Sequence, residues 1–273
     1  MYAEHMLIIV LICMIIGMIA GTLAGLFGIG GGLILVPSII ICLNIIQVPH
    51  QILMHMALGT SLSCILVNSS FSALTHYKKG KIDWKTFNKL IIGIILGVLF
   101  GGKIASALSS KTLEMIFASF LSLITLKMWL HLNIEPKPKK IATPIYWLVG
   151  LLIGLKSAVL GLGGGTISVP FLTWGGKTMK EAVGVSAFIG IPIALIGSLS
   201  YIYNGYGQNL LPEYSLGFVY LPAFLGIIIT GPVFAKIGAH FSHSLPQKKL
   251  YRLFACFLTI ILCKTLYDIV TTF

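Results

Sequence analysis

Residues 25–37 read GLFGIGGGLILVP, five glycines and a proline inside one of the most apolar parts of the chain. Glycine weakens a helix by roughly 1 kcal/mol relative to alanine, and an interior proline removes an N–H and crowds the preceding turn. A segment crossing lipid wants an unbroken helix, because hydrocarbon offers no partner to a freed backbone group. The break occurs twice. Residues 21–37, GTLAGLFGIGGGLILVP, match residues 154–170, GLKSAVLGLGGGTISVP, at eight of seventeen positions, including Gly28/Gly161, Gly30/Gly163, Gly31/Gly164, Gly32/Gly165 and Pro37/Pro170.

Two further matches follow in the same order. ALGTS (57–61) resembles AVGVS (182–186), and KTLEMIFASFLSLITLK (111–127) matches KKLYRLFACFLTIILCK (248–264), again at eight of seventeen. The chain reads as a duplication: a first membrane repeat over 1–132, a Pro- and Lys-rich linker over 133–141, and a second membrane repeat over 142–273.

Composition sets the class. Of 273 residues, 57% are hydrophobic and 10% charged, against roughly 25% charged in soluble domains. This is the composition of an integral membrane protein in the lipid bilayer with little mass outside it. The N-terminal MYAEHMLIIV has no Lys or Arg before its apolar run, unlike a signal peptide, and reads as a retained first span. The net charge of +12 lies mainly in short loops, which points to membrane topology rather than to nucleic acid. The five cysteines fall inside apolar segments without a CxxC or neighbouring His, so neither a metal site nor a disulfide framework is expected.

Ten apolar segments are expected, over roughly 6–27, 30–48, 52–74, 87–108, 113–132, 142–161, 163–174, 179–203, 215–237 and 249–270. The seventh, GGGTISVPFLTW, is too short for ~30 Å of hydrocarbon and reads as a half-helix or one arm of a re-entrant hairpin. With the N-terminus outside, fourteen Lys and Arg residues fall on one face, in loops near 78–89, 137–140, 177–180 and 236–252, while Lys103 and Lys111 fall on the other. The positive-inside rule makes the lysine-rich face, central linker included, cytoplasmic. An odd net number of crossings per half then inverts the two halves. The fold class expected is all-α, a polytopic membrane protein of two inverted-topology repeats with paired Gly/Pro-interrupted segments. Secondary transporters use such pairs to hold substrate near the midplane, and uncovered N–H groups at a helix N-terminus favour an anion.

The duplicated GxGGG and VP pattern, followed by AxGxS and a Tyr/Gly-containing loop, resembles the TauE/SafE family of sulfite exporters over essentially the whole chain. The resemblance implies a permease of the bacterial cytoplasmic membrane whose substrates are small anions such as sulfite and organosulfonates or related carboxylates. It chooses neither among these nor between export and import.

The expected substrate-binding set is Gly28, Gly30, Gly31, Gly32 and Pro37 of the first break, Gly161, Gly163, Gly164, Gly165 and Pro170 of the second, the hydroxyls of Thr60, Ser61 and Ser186, and Lys156. Packing glycines and hydroxyls bonded to their own helix are the structural alternatives. Lys156 stands mid-segment, where Lys costs about 2.5–3.5 kcal/mol on insertion scales, and its counterpart is Leu23. A counter-charge for an anion is the functional reading, and a snorkelling or cavity-lining Lys the structural one. Lys127 and Lys264, near segment ends, read as snorkelling cations. His55 and His76 read as interfacial, and Cys64 as an inert buried thiol. No catalytic residue, metal ligand or cofactor is assigned, and the coupling ion is left open. The leading function is a secondary anion transporter working by alternating access. The alternatives are an anion channel and, further back, an intramembrane hydrolase built on Ser61 and His76.

Overall fold

A computed structural model describes the backbone of residues 2–27, 32–78, 83–130, 141–242 and 247–271. Gly28, Gly30 and Gly31, the linker over 133–140 and the side chain of His76 lie outside the described residues. Ten α-helices are present among those described: α1 (Tyr2–Phe27), α2 (Gly32–Ile45), α3 (His50–Lys78), α4 (Trp84–Ala107), α5 (Ser110–Trp129), α6 (Thr143–Leu160), α7 (Gly165–Trp174), α8 (Met179–Gly205), α9 (Leu221–Ser242) and α10 (Gln247–Thr271). They correspond one to one with the ten expected segments. Among the described residues, α3, α4, α5, α6 and α8 carry apolar stretches of 18 to 25 residues, enough to cross a bilayer. This is an all-α polytopic membrane protein.

Two expectations are corrected. The second segment is too short to span the bilayer. α2 has 14 residues, about 21 Å at 1.5 Å per residue, so it joins the 10-residue α7 as a short helix. The ninth helix starts at Leu221 rather than near 215. Residues before it form a small antiparallel hairpin, β1 (Ser215–Leu216) against β2 (Val219–Tyr220), whose turn places Gly217 at φ 53°, a left-handed conformation that glycine adopts without a Cβ penalty.

Helix ends are set by local chemistry. Asp83 caps α4 by accepting the Thr86 N–H at 3.1 Å, Ser109 caps α5 by accepting the Thr112 N–H, and Thr178 with Glu181 forms a reciprocal capping box at the start of α8. Each satisfies N–H groups that the first helical turn leaves without an intrahelical acceptor.

Lateral packing uses glycine for close approach, as membrane helices do. α4 lies on α6 so tightly that a Cβ on Gly97 would stand 2.2 Å from the Leu151 carbonyl oxygen, and one on Gly154 would stand 2.3 Å from that of Ile94. α1 meets α9 in the same way. The repeat segments also pack on their own counterparts, α3 on α8 and α5 on α10, the latter pair joined by the Trp129 indole N–H donating to Thr259 Oγ1 at 3.1 Å. The centre of the molecule is the wholly buried part of α2 and α3, with Leu33, Leu35, Met56, Leu58 and Leu62 essentially without exposure. Inside it, Cys13 of α1 and Cys42 of α2 bring their Sγ atoms to 3.2 Å.

Candidate functional site

The second glycine break is the elbow between α6 and α7. α6 ends because Gly161 turns left-handed at φ 64°, ψ 30°. Its N–H and that of Leu162 both donate to the Ser157 carbonyl. The chain reverses through Leu162 and Gly163, and α7 starts after Gly164, whose carbonyl accepts the N–H groups of Ile167 and Ser168. No side chain caps this helix start. Pro170, inside α7, has no N–H and so leaves the Thr166 carbonyl without its helical donor. Pro37 does the same to Leu33 in α2.

The first half holds this elbow from the other side. A Cβ on Gly161 would lie 2.8 Å from Leu58 Cδ2 and 3.2 Å from Val36 Cγ2. Ser61 Oγ donates to the Gly161 carbonyl at 2.8 Å. A Cβ on Gly32, the described end of the first break, would lie 3.0 Å from Leu162 Cα. The two breaks therefore meet, with Gly32 at the start of α2 lying on Leu162 between α6 and α7. Gly164 faces Ile189 and Ile193 of α8, each 3.1 Å from where its Cβ would be, and the buried Ser186 stands one turn before Ile189 on that helix.

Lys156 reaches the same elbow. Its Nζ donates to Thr166 Oγ1 in the first turn of α7 and lies 5.2 Å from the centroid of the Phe120 ring. The Lys156 amine is thus held at the end of a helix that carries partial positive charge. Among the described residues no carboxylate pairs with it. On the same two helices the hydroxyls of Ser157 (α6) and Ser168 (α7) are buried with no hydrogen-bond partner among the described residues.

Thr60 lies apart from this group: its Oγ1 accepts the Tyr220 N–H at 3.0 Å, tying α3 to the hairpin before α9. Two adjoining cavities of about 210 and 570 Å³ open at the other end of the helices, lined by His50, Ser110 and Glu114 among others. None of the described residues of the breaks lines them.

Three residues at the elbow were not singled out from sequence: Ser157, Thr166 and Ser168. The signal lay in the mismatches of the repeat rather than in its identities. The first half has Leu23, Ala24, Leu33 and Leu35 where the second has Lys156, Ser157, Thr166 and Ser168. The four differences are all apolar to polar, and all lie around one elbow.

Apolar helices long enough to span a bilayer, two short helices interrupted by glycine and proline, and a part-buried lysine at the α6–α7 elbow define a polytopic α-helical membrane protein. The family follows from comparison: residues 13–265 match the family described as sulfite exporter TauE/SafE, and the chain belongs to it. A probable membrane transporter protein of Haemophilus influenzae is 41% identical over 253 residues, covering 92% of this chain and 96% of that one. Probable membrane transporter proteins of Methanocaldococcus jannaschii and Bacillus subtilis are 28% and 26% identical, covering 82% and 89% of this chain and 83% and 92% of theirs. No solved structure matches the chain.

Proposed function

We propose that this transporter is a secondary permease for small oxyanions, sulfite, organosulfonates or related sulfur-containing or carboxylate anions, and that the anion sits at the α6–α7 elbow. The observation that carries the reading is the Lys156 ammonium at the uncapped first turn of α7. When Lys156 is protonated, two like charges are brought together in a medium of low dielectric, where their repulsion is strongest. An anion between them relieves that repulsion. The printed description of the family, a sulfite exporter, supports the same substrate class.

Transport at such a site requires alternating access. The glycine and proline breaks at matching places, and the packing of repeat segments on their counterparts, support two inverted halves rocking about the elbow. The proposed setting is the bacterial cytoplasmic membrane, with the N-terminus outside and the lysine-rich loops inside.

The test is uptake of radiolabelled sulfite into proteoliposomes, with counterflow, by the wild type, Lys156→Gln and Lys156→Arg. Saturable counterflow that falls at least tenfold in Lys156→Gln, about the 1.4 kcal/mol a single charge-assisted contact supplies, and is kept in part by Arg is the expected result. Undiminished counterflow in Lys156→Gln overturns the site. Flux without saturation or counterflow in the wild type identifies a channel.

A further inference from the structure

Among the described residues no counter-charge faces Lys156. Its Nζ meets Thr166 Oγ1 of α7 and the face of the Phe120 ring on α5. The ionisable side chains on the helices packed around α6 are engaged elsewhere. His55 of α3 bonds the Ala105 carbonyl through Nε2 at 3.2 Å and packs on Phe218. His50 of α3 and Glu114 of α5 line the cavities at the other end of the helices. On α8, Glu181 caps its own helix and the Tyr201 hydroxyl donates to the Ala158 carbonyl. α7 carries no ionisable residue, and the lysines of α4 and α5 stand near their helix ends. None of these groups acts on the Lys156 amine, which is left with burial alone.

The amine is also far from either end of its helical neighbourhood. α4 runs parallel to α6 and continues past it. A Cβ on Gly101 would stand 2.9 Å from Ala158 Cβ, and α4 goes on to Ala107, six residues or about 9 Å further. In the other direction α6 begins at Thr143, thirteen residues or about 20 Å before Lys156. Leu148 and Leu152, two turns and one turn earlier on the same face of α6, are 60% and 50% exposed. An exposed apolar stripe on a helix of spanning length faces lipid, and the exposed part of Lys156 continues that stripe. Hydrocarbon, one ring face and one hydroxyl solvate an ammonium poorly. Two states escape that cost: the neutral amine, and the ammonium beside an anion.

We propose that Lys156 is the proton carrier of the transporter: it takes up a proton as the anion binds at the α6–α7 elbow and releases it as the anion leaves, so that each anion crosses with one proton. The amine lone pair forms an N–H bond with a proton from the side on which the anion enters. That bond breaks on the side where the anion departs, and no electrons are exchanged. For a monoanion the site is uncharged when empty and uncharged when loaded. Neither passage then moves net charge through a medium of low dielectric, whereas a fixed cation would have to return charged and alone. Leu23 stands at the matching place of the first half, so the repeat supplies one such amine and the ratio is one proton per anion. The proposal rests on the anion site proposed above.

The probe is radiolabelled methanesulfonate, a monoanion whose charge does not change near neutral pH, in proteoliposomes of the full-length protein. An outside more acid by ~1 pH unit is expected to drive about ten-fold accumulation by the wild type, the equivalent of one proton per anion. A pH dye trapped in the lumen should report acidification with the uptake, and a potassium diffusion potential alone should drive none. Lys156→Arg carries a charge that it does not release, so it is expected to keep part of the methanesulfonate counterflow and to lose the acid-driven accumulation. A second readout needs no variant: in mildly alkaline solution, methanesulfonate binding to the solubilised wild type is expected to take up about one proton per anion. Accumulation driven by voltage and not by acid, acid-driven accumulation kept in Lys156→Arg, or binding without proton uptake overturns the carrier. Counterflow that falls in Lys156→Gln, with no proton moving in the wild type, removes the carrier and leaves the anion site. Acid-driven uptake with counterflow undiminished in Lys156→Gln removes Lys156 from both roles, and no methanesulfonate counterflow in the wild type overturns both readings.

Discussion

Ser61 donates its hydroxyl to the carbonyl oxygen of Gly161 at 2.8 Å, across one hundred residues of chain. The serine of the first half's AxGxS element thereby clamps the glycine break of the second half. Both groups are buried, so Ser61→Ala strands a carbonyl that no water reaches. Leaving a buried acceptor unpaired costs about 1–3 kcal/mol, and the thermal midpoint of the detergent-solubilised protein is expected to fall accordingly. Sulfite affinity lost with the midpoint unmoved would instead make Ser61 a ligand.

The glycines of the elbow are predicted to differ in kind. Gly161 has φ 64° and a Cβ there would press on Leu58 at 2.8 Å. Gly161→Ala combines a left-handed penalty of about 1–2 kcal/mol with overpacking of about 1–3 kcal/mol, so stability falls markedly. Among the described residues, Gly163 has only Ile65 near its missing side chain, at 3.7 Å. Gly163→Ala is expected to shift the thermal midpoint little. Equal destabilisation by the two variants would contradict this division of the glycine run into one conformational and one roomy position.

Much of this was legible in the residues, and unevenly so. Apolar runs of 18 or more residues report helices directly, because lipid leaves the backbone no alternative. The place where Gly32 meets Leu162 could be anticipated from two matching breaks. What stayed hidden were the partners distant in sequence. Thr60 and Ser61 are neighbours in one motif, yet one hydroxyl serves Tyr220 and the other Gly161. A helix turns ~100° per residue, so adjacent residues face different neighbours, and no one-dimensional pattern says which. The same limit hid the Asp83–Lys177 pair, formed by two loop residues 94 positions apart, and the approach of Cys13 to Cys42. The start of α9 was misplaced because residues 215–220 are as apolar as a helix, and only the Gly217 turn makes them a hairpin.

The ion pair has a predictable response to pH. Burial alone would raise the Asp83 carboxyl, but the Lys177 ammonium and the Thr86 hydroxyl and N–H outweigh it and lower the pKa to about 2. Asp83 in turn raises Lys177 against a smaller opposing effect of burial. A carboxylate with a depressed pKa adds stability that is complete above its unfolded value, ~3.9, and disappears as pH falls through its folded value. A lysine with a raised pKa adds stability that is complete below its unfolded value, ~10.4, and disappears as pH rises through its folded value. The difference in thermal midpoint between wild type and Asp83→Asn should therefore be flat from about pH 5 to 9 and shrink between about pH 4 and 2. A difference that changes near neutrality would show that another titrating group governs this contact.

Ser168 offers a prediction in which stability and function move in opposite directions. Its hydroxyl is fully buried and unpaired, and Leu35 stands at the matching place in the first half, so the repeat itself accommodates an apolar residue there. Replacing an unsatisfied buried hydroxyl by a methyl removes a desolvation penalty of about 1–3 kcal/mol and leaves a void smaller than one methyl group. Ser168→Ala is expected to leave the thermal midpoint unchanged or raised. If the hydroxyl is kept for an anion at the elbow, the same variant weakens sulfite binding by about ten-fold, the worth of one hydrogen bond to a charged acceptor. Sites retained for function are where such trade-offs arise. A raised midpoint with undiminished sulfite binding would remove Ser168 from the anion site while leaving Lys156 in it, and a lowered midpoint would mean that the hydroxyl has a structural partner after all.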